Sequence, residues 1–264
     1  MPIVVATSAC GGHSEGVNHD VHAAARQHYV QAVHAAAAAD LGSELAAGTN
    51  VVAAADREGS TAAVLYPLGA STVVWCAPEL RPRLATLDGQ PALDVEGFMR
   101  VTGDLGATPV GTGHHRVLTT QLSAPTIGPE RIAELHRSNP TDVERIAEFV
   151  DACSDDDLDE AELDLDELDP AIFAVLDEAG AIDAYSSARP WSIGGAFDDI
   201  AVITRPGRRG QGLGATAVRA LIAARQPLGR LMFYNCHAEN LGSNRLAESL
   251  GFELVMTVAA ASFD

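Results

Sequence analysis

One loop in this chain has the residue types and spacing to hold a phosphate. It runs R-P-G-R-R-G-Q-G-L-G-A, from Arg205 to Ala215. Arg208 and Arg209 add charge at its mouth. Gly210, Gly212 and Gly214 let the backbone approach an anion with no Cβ between them. From Leu213 onward, Leu213, Ala217, Val218, Leu221 and Ile222 fall at helical spacing and predict a helix with one apolar face. The first turn of such a helix leaves backbone N–H groups unpaired at the positive end of its dipole. The chemistry on offer is an anion cradle. It is not a P-loop, which needs a lysine after its last glycine. The chain has no lysine, and all seventeen of its basic residues are arginine. Nor does the alternation of Gly210, Gly212 and Gly214 fit the spacing of a dinucleotide fingerprint.

The cradle needs elements to position it. Ile200 to Ile203 is a short apolar run, as a buried strand would be, and Pro206 and Gly207 break it. Upstream, Ala171 to Asp177 and Ala181 to Arg189 read as two strands around a turn at Glu178–Gly180. Phe197 to Thr204 reads as the strand that feeds the loop. Downstream, Leu231 to Tyr234 reads as another strand. Asn240 and Ser243 then open a second helix, which ends at Leu250, Gly251 and Phe252, and Glu253 to Val258 forms a last strand.

This series resembles the GNAT N-acetyltransferase superfamily. Arg209, Gly212 and Gly214 match its acyl-CoA pyrophosphate loop, Q/R-x-x-G-x-G/A. Asn240, Ser243 and Leu250–Phe252 match its second signature, N-x-x-S/A followed by a helix and L-G-F. The resemblance implies an α+β fold: a mixed, mostly antiparallel twisted sheet flanked by helices, with an N-terminal α+β portion before it. It implies an acyl-CoA-dependent N-acyltransferase that moves acetyl from acetyl-CoA to a primary amine of a small molecule or peptide. The alternative is a catalytically idle CoA-binding or regulatory protein. In the family's pattern, Arg209, Gly210, Gln211, Gly212, Leu213, Gly214 and Ala215 hold the pyrophosphate. Val202, Ile203 and Thr204 pair with the pantetheine arm through their backbone, and Asn240 and Ser243 lie against it. Asn240 and Ser243 also suit a helix N-cap.

Members of the family often carry a glutamate base on the strand before the loop. Asp198, eleven residues before Arg209, is the candidate here, and Asp199 would point to the other face of a regular strand. Many members carry a tyrosine acid seven residues after the motif asparagine; this chain has Ala247 there. Tyr234 is the substitute candidate, with Cys236 and His237 near it in sequence, although a core role suits Tyr234 better. Tyr185 and Trp191 could line the acceptor pocket or belong to the core.

The remaining elements are expected as follows. Residues 13–40 form an alanine-rich helix on which His19, His22 and His28 are exposed rather than metal ligands. Asn50–Asp56, Thr61–Pro67 and Ser71–Cys76 form an antiparallel meander. Helices start at Pro78 and Asp94. Arg116–Gln121 forms a strand, the first of the acyltransferase sheet. Ser123–Gly128 is a linker. Helices follow at Pro129–His136 and Thr141–Val150, the second with a capping box of Thr141 and Glu144. The division falls at 1–122 and 123–264, and the first portion is either a degenerate copy of the same fold or an unrelated α+β cap. Ser154 to Asp169 is the most acidic stretch. A solvated segment is the first reading, and a rim that attracts a cationic amine is the second.

Composition excludes some classes. Net charge is −19 over 264 residues, which argues against nucleic acid and against anionic membrane surfaces. There is no basic, apolar leader and no run of about eighteen apolar residues. Cys10, Cys76, Cys153 and Cys236 are scattered and read as reduced thiols of a cytoplasmic protein. The oligomeric state is open, with a homodimer among the options.

Overall fold

The computed structural model describes residues 15–122, 125, 129–163 and 169–263. The expected linker (all but Pro125), Cys10, the side chains of His19 and His22, and residues 164–168 of the acidic stretch lie outside the described residues. In chain order the first elements are α1 (Glu15–Leu41), β1 (Gly48–Ala53), β2 (Ala62–Leu68), β3 (Ser71–Cys76), α2 (Arg81–Leu84), α3 (Val95–Asp104) and β4 (Thr108–Leu118). Then come β5 (Ile132–Leu135), α4 (Pro140–Val150), α5 (Asp155–Glu160), β6 (Ala171–Leu176), β7 (Ile182–Pro190) and β8 (Phe197–Thr204). The last are α6 (Leu213–Arg225), β9 (Leu231–His237), α7 (Leu241–Ser249) and β10 (Phe252–Ser262).

All ten strands join one mixed, mostly antiparallel sheet, in the order β1-β3-β2-β10-β4-β9-β8-β7-β6-β5. Local hairpins build its two flanks, and strands distant in sequence build its centre. β10 pairs with both β2 and β4, and β4 also pairs with β9. The sheet therefore runs unbroken through both portions of the chain. Each central strand alternates its side chains between two helix-covered faces. On one face α1 packs through Ala25, Tyr29, Val33 and Ala37, four residues apart, against Trp191, Phe197 and Phe233. α6 and α7 cover the other side of the C-terminal half, against Ile200, Tyr234 and Phe252.

Four features depart from the sequence reading, the first two because of this long-range pairing. The three early strands do not form a meander. β1 lies parallel to β3, because β10 takes the far edge of β2. Arg116 to Leu118 belongs to β4, between β9 and β10, and is not the first strand of the acyltransferase sheet. That place belongs to β5, within a stretch expected to be helical; only Pro129–Arg131 makes a helical turn, a 3-10 one. The start of α4 is capped by Asn139, whose side chain accepts from the Thr141 N–H at 3.1 Å, so Thr141 and Glu144 form no capping box.

Candidate functional site

β8 and β9 run parallel but pair only over Phe197–Asp199 and Leu231–Phe233. Beyond that point β9 continues against β4 while β8 stays with β7, so the two strands separate. A cleft of about 610 Å³ opens between them, with Ile200–Thr204 along one wall and Tyr234 and Asn235 on the other. The backbone of a strand that loses its neighbour keeps free hydrogen-bonding groups. The cleft wall is thus a half-strand edge ready to pair with an amide-bearing ligand.

The glycine loop closes one end of the cleft. Gly210 and Gly212 sit at φ +74° and +75°, a left-handed conformation that side chains rarely adopt. Gly212 is the N-cap of α6. At Gly214 a Cβ would stand 2.9 Å from the Thr204 hydroxyl and 3.4 Å from Val202, so a side chain there would crowd the helix start against β8. Nothing stands within 4 Å of a Cβ built at Gly210 or Gly212, which leaves a concave, cationic-ended space at the helix N-terminus. Such a space suits a phosphate-bearing ligand. Arg209, Gly210, Gly212, Leu213, Gly214 and Ala215 all line the cleft. Gln211 does not: it faces a neighbouring cavity with Arg131, Asp183 and Arg208. Arg208 is also turned away, because buried Asp183 accepts from its Nε at 2.8 Å.

The opposite wall carries the second motif. Asn240 is the N-cap of α7, its Oδ1 accepting from the Ser243 N–H at 2.9 Å, and both residues line the cleft. The Ser243 hydroxyl lies 2.7 Å from that of Tyr234. Burial pushes the Tyr234 hydroxyl well above its ordinary pKa, so it stays protonated at neutral pH. Ala247 is fully buried in the cluster that contains the Tyr234 ring. Tyr185, stacked on Phe149, and Trp191, stacked on Tyr29, belong to the core rather than the cleft.

The two neighbouring aspartates of β8 part company. Asp198 is fully buried and faces α6, where its carboxylate accepts from Arg225 Nε at 2.6 Å and Arg230 Nε at 2.8 Å. A carboxylate held by two guanidiniums away from the cleft cannot reach a substrate amine, so Asp198 is a structural counter-ion and not the base. Asp199, on the opposite face of the pleat, lines the cleft. Burial raises its pKa from 3.8 to about 7, and the nearby Glu162 and Asp169 add to the rise.

The described part of the acidic stretch is solvent-exposed at most of its carboxylates and also borders the cleft. Asp156, Asp157, Glu160, Glu162 and Asp169 all line the cleft. Three aspartates in the first turn of α5 suit its dipole, and Ser154 caps it. The helix then lies over the cleft mouth. Asp157 accepts from Arg209 at 2.6 Å, and Glu160 from the Asn240 amide at 3.0 Å. Glu162, in the left-handed region at φ +49°, ends the turn and pairs with Arg189. Among the described residues no group of histidine, cysteine, aspartate and glutamate is arranged to hold a metal ion, and no helix is long and apolar enough to cross a membrane.

Residues 126–253 match the sequence model of the acetyltransferase (GNAT) domain. Residues 126–253 are thus a GNAT acetyltransferase domain. The match begins after β4, so it takes in neither that strand nor the rest of the first portion. Solved structures with similar arrangements are also found. A GNAT-family protein from Novosphingobium aromaticivorans is 21% identical, with a TM-score of 0.47 over 60% of this chain and 68% of its own. A GCN5-related N-acetyltransferase from Sphaerobacter thermophilus is 15% identical, with a TM-score of 0.46 over 63% of this chain and 55% of its own. A GNAT-family acetyltransferase from Colwellia psychrerythraea is 12% identical, with a TM-score of 0.46 over 72% and 76%. Comparison with curated proteins gives no match.

Proposed function

We propose that the chain is an acyl-CoA-dependent N-acyltransferase that moves acetyl from acetyl-CoA to a primary amine carrying positive charge. One observation carries this reading: the glycine cradle and the open edge of β8 face one cleft, with a carboxyl of neutral pKa on its floor. The donor supplies an activated thioester. The chain's own residues supply the rest. Amides of Arg209–Ala215 would hold the diphosphate, and the backbone of Val202, Ile203 and Thr204 would pair with the pantetheine amides. Asn240 and Ser243 would flank that arm.

An amine must lose a proton to attack. A base works best when its pKa lies near the working pH, and Asp199, at about 7, meets that condition. The departing thiolate needs a proton or a donor. The Tyr234 hydroxyl, 2.7 Å from that of Ser243 and kept protonated by burial, would serve as a hydrogen-bond donor to that thiolate. Binding without turnover is the competing reading, favoured by Ala247 in place of the family's tyrosine. A neutral-range carboxyl in the cleft weighs against it.

Charge favours the acceptor class. Asp156, Asp157, Glu160, Glu162, Asp169 and Asp199 face Arg189 and Arg209 across the cleft lining, leaving an acidic surplus. Such a lining concentrates cations and repels anions over about a Debye length, ~8 Å at physiological salt. The deciding experiment mixes the protein with acetyl-CoA and matched cationic, neutral and anionic amines, and follows free thiol at low and high salt. The expected result is thiol release with cationic amines foremost, a preference that narrows as salt rises. CoA binding by calorimetry with no thiol release from any amine would overturn the enzyme reading. A preference indifferent to salt would overturn the charge argument alone.

We also propose the division at 122/123, with 1–122 as an α+β portion and 123–264 as the acyltransferase domain, the two sharing one sheet. The thiols of Cys76, Cys153 and Cys236 are free, which supports a reducing, cytoplasmic setting.

A further inference from the structure

The loop between β9 and α7, His237 to Asn240, presents Asn240 to the cleft. It is held from behind by a strand outside the matched domain. The Ala238 N–H donates to the carbonyl of Thr112 on β4 at 2.8 Å. The His237 ring lies where a Cβ on Gly111 would be, 2.4 Å from its Nε2, so β4 accommodates the loop only with glycine there. The third link is a side chain. Asn244, in the first turns of α7 and only 7% exposed, has its Nδ2 within hydrogen-bond distance of three carbonyls that share its two hydrogens: His237 at 3.0 Å, Ala238 at 3.3 Å and Asn240 at 2.9 Å. Its Oδ1 faces β4, lying 2.7 Å from His114 Nδ1 and accepting from Arg116 Nη2 at 3.1 Å.

We infer that Asn244 is a positioning residue for the cofactor arm, and that through it β4 of the N-terminal portion fixes the loop that carries Asn240. This rests on the acyl-CoA reading of the cleft. An amide is suited to the place because it is donor and acceptor at once. Its donor end gathers carbonyls that would otherwise splay the loop, and its acceptor end is anchored by groups from another part of the chain. Arg116 is itself buried and pairs at 2.9 Å with Glu248, which lies on the same helix as Asn244. A residue that merely joined α7 to β4 would need only the acceptor end. The donor end is what reaches the loop.

That distinction gives the test. In the full chain, Asn244→Asp keeps an acceptor for His114 and Arg116 but replaces the donor with an oxygen facing three carbonyls. His114→Ala is a milder variant that loosens the anchor from the β4 side. Hydrogen exchange of amides 238–243 reads loop order with no ligand present, and calorimetry with CoA reads the site. The expected result for Asn244→Asp is a cooperative melt, faster exchange confined to 238–243, and CoA affinity weaker by about tenfold, the scale of one lost buried hydrogen-bond set. Turnover at saturating acetyl-CoA stays near that of the unaltered protein, so the loss falls in KM. His114→Ala should move exchange and affinity the same way by less. In combination with Asn240→Ala, Asn244→Asp should add little, because it acts through Asn240. Unchanged exchange at 238–243 in both variants overturns the inference, as does a full additive loss in the double variant. If the unaltered protein binds no CoA, the cofactor reading fails. Exchange confined to the loop would then still uphold the clamp, and unchanged exchange would remove it.

Discussion

Replacing Asp199 with asparagine should weaken the enzyme and strengthen the fold, and the two effects should share one pH range. Asp199 titrates at about 7 in the folded chain and near 3.8 when free. The folded state therefore binds a proton that the unfolded state has released everywhere between those values. Stability linked to this group is fully present below about pH 3.8 and is lost as pH rises through 7. At 1.36 kcal/mol per pH unit, the charged form costs the fold on the order of 4 kcal/mol above pH 7. The asparagine side chain carries no such charge. The variant should melt at higher temperature than the unaltered protein at pH 8, and the gap should close toward pH 4.

Activity should move the opposite way. Only the charged form of Asp199 accepts a proton, so kcat/KM should rise with pH through a limb near 7. The asparagine variant should lose about a hundredfold or more at pH 8 and lose that limb. CoA affinity should be unchanged, because Asp199 lies outside the glycine cradle. The assays are thermal melts from pH 4 to 8, thiol release over the same range and calorimetry with CoA. A variant with no stability gain at pH 8 would show that Asp199 is not held near 7. Full activity with the acidic limb intact would remove it from the mechanism.

Three further substitutions test neighbouring parts of the argument. Gly212→Glu should bring CoA binding below detection by calorimetry while leaving a cooperative melt, lowered by about 1 kcal/mol of left-handed strain at φ +75°, since a like charge would fill the phosphate space and no atom lies near the added Cβ. Unchanged affinity would sink the cradle assignment. Asp198→Asn should cost about 3 kcal/mol of stability by leaving Arg225 and Arg230 without their buried counter-charge, with CoA affinity unaltered in the folded protein; an equal melting temperature would contradict its structural role. Glu162→Gln removes a charge that raises the Asp199 pKa and frees Arg189, which lowers it. The acidic limb of the rate profile should therefore move to lower pH, and a limb that stays put or rises would separate Glu162 from the base.

The sequence was most legible where local pattern and chemistry coincide. The glycine loop, the helix after it and the strands from Ala171 to Thr204 follow from spacing that a few neighbouring residues set. β8 runs over the same residues expected of it, Phe197 to Thr204. The centre of the sheet was not legible. β4 is held by β9 and β10, whose residues lie more than a hundred positions away, so nothing near Arg116 marks its true neighbours. β5 is four residues long in a stretch whose apolar spacing also suits a helix, and only its pairing with β6 decides between them.

The choice between Asp198 and Asp199 shows where the limit lies. The pleat places the two on opposite faces, so the sequence established that at most one reaches the cleft. What it did not contain was which face α6 would cover. That face was fixed by Arg225 and Arg230, which lie near the end of a helix whose apolar stripe was read but whose terminal charges were not. Two arginines within six residues, after a helix that packs on a strand with paired aspartates, are a signal for a buried counter-ion. The free aspartate is then the one beside it. Asn244 carried a weaker signal. It sits between the motif residues Asn240 and Leu250 at a position where a helix tolerates many side chains. Its role depends on His114 and Arg116, 130 and 128 residues away. Groups that touch a ligand fall within local motifs, and groups that hold those motifs in place come from wherever the sheet brings its strands together.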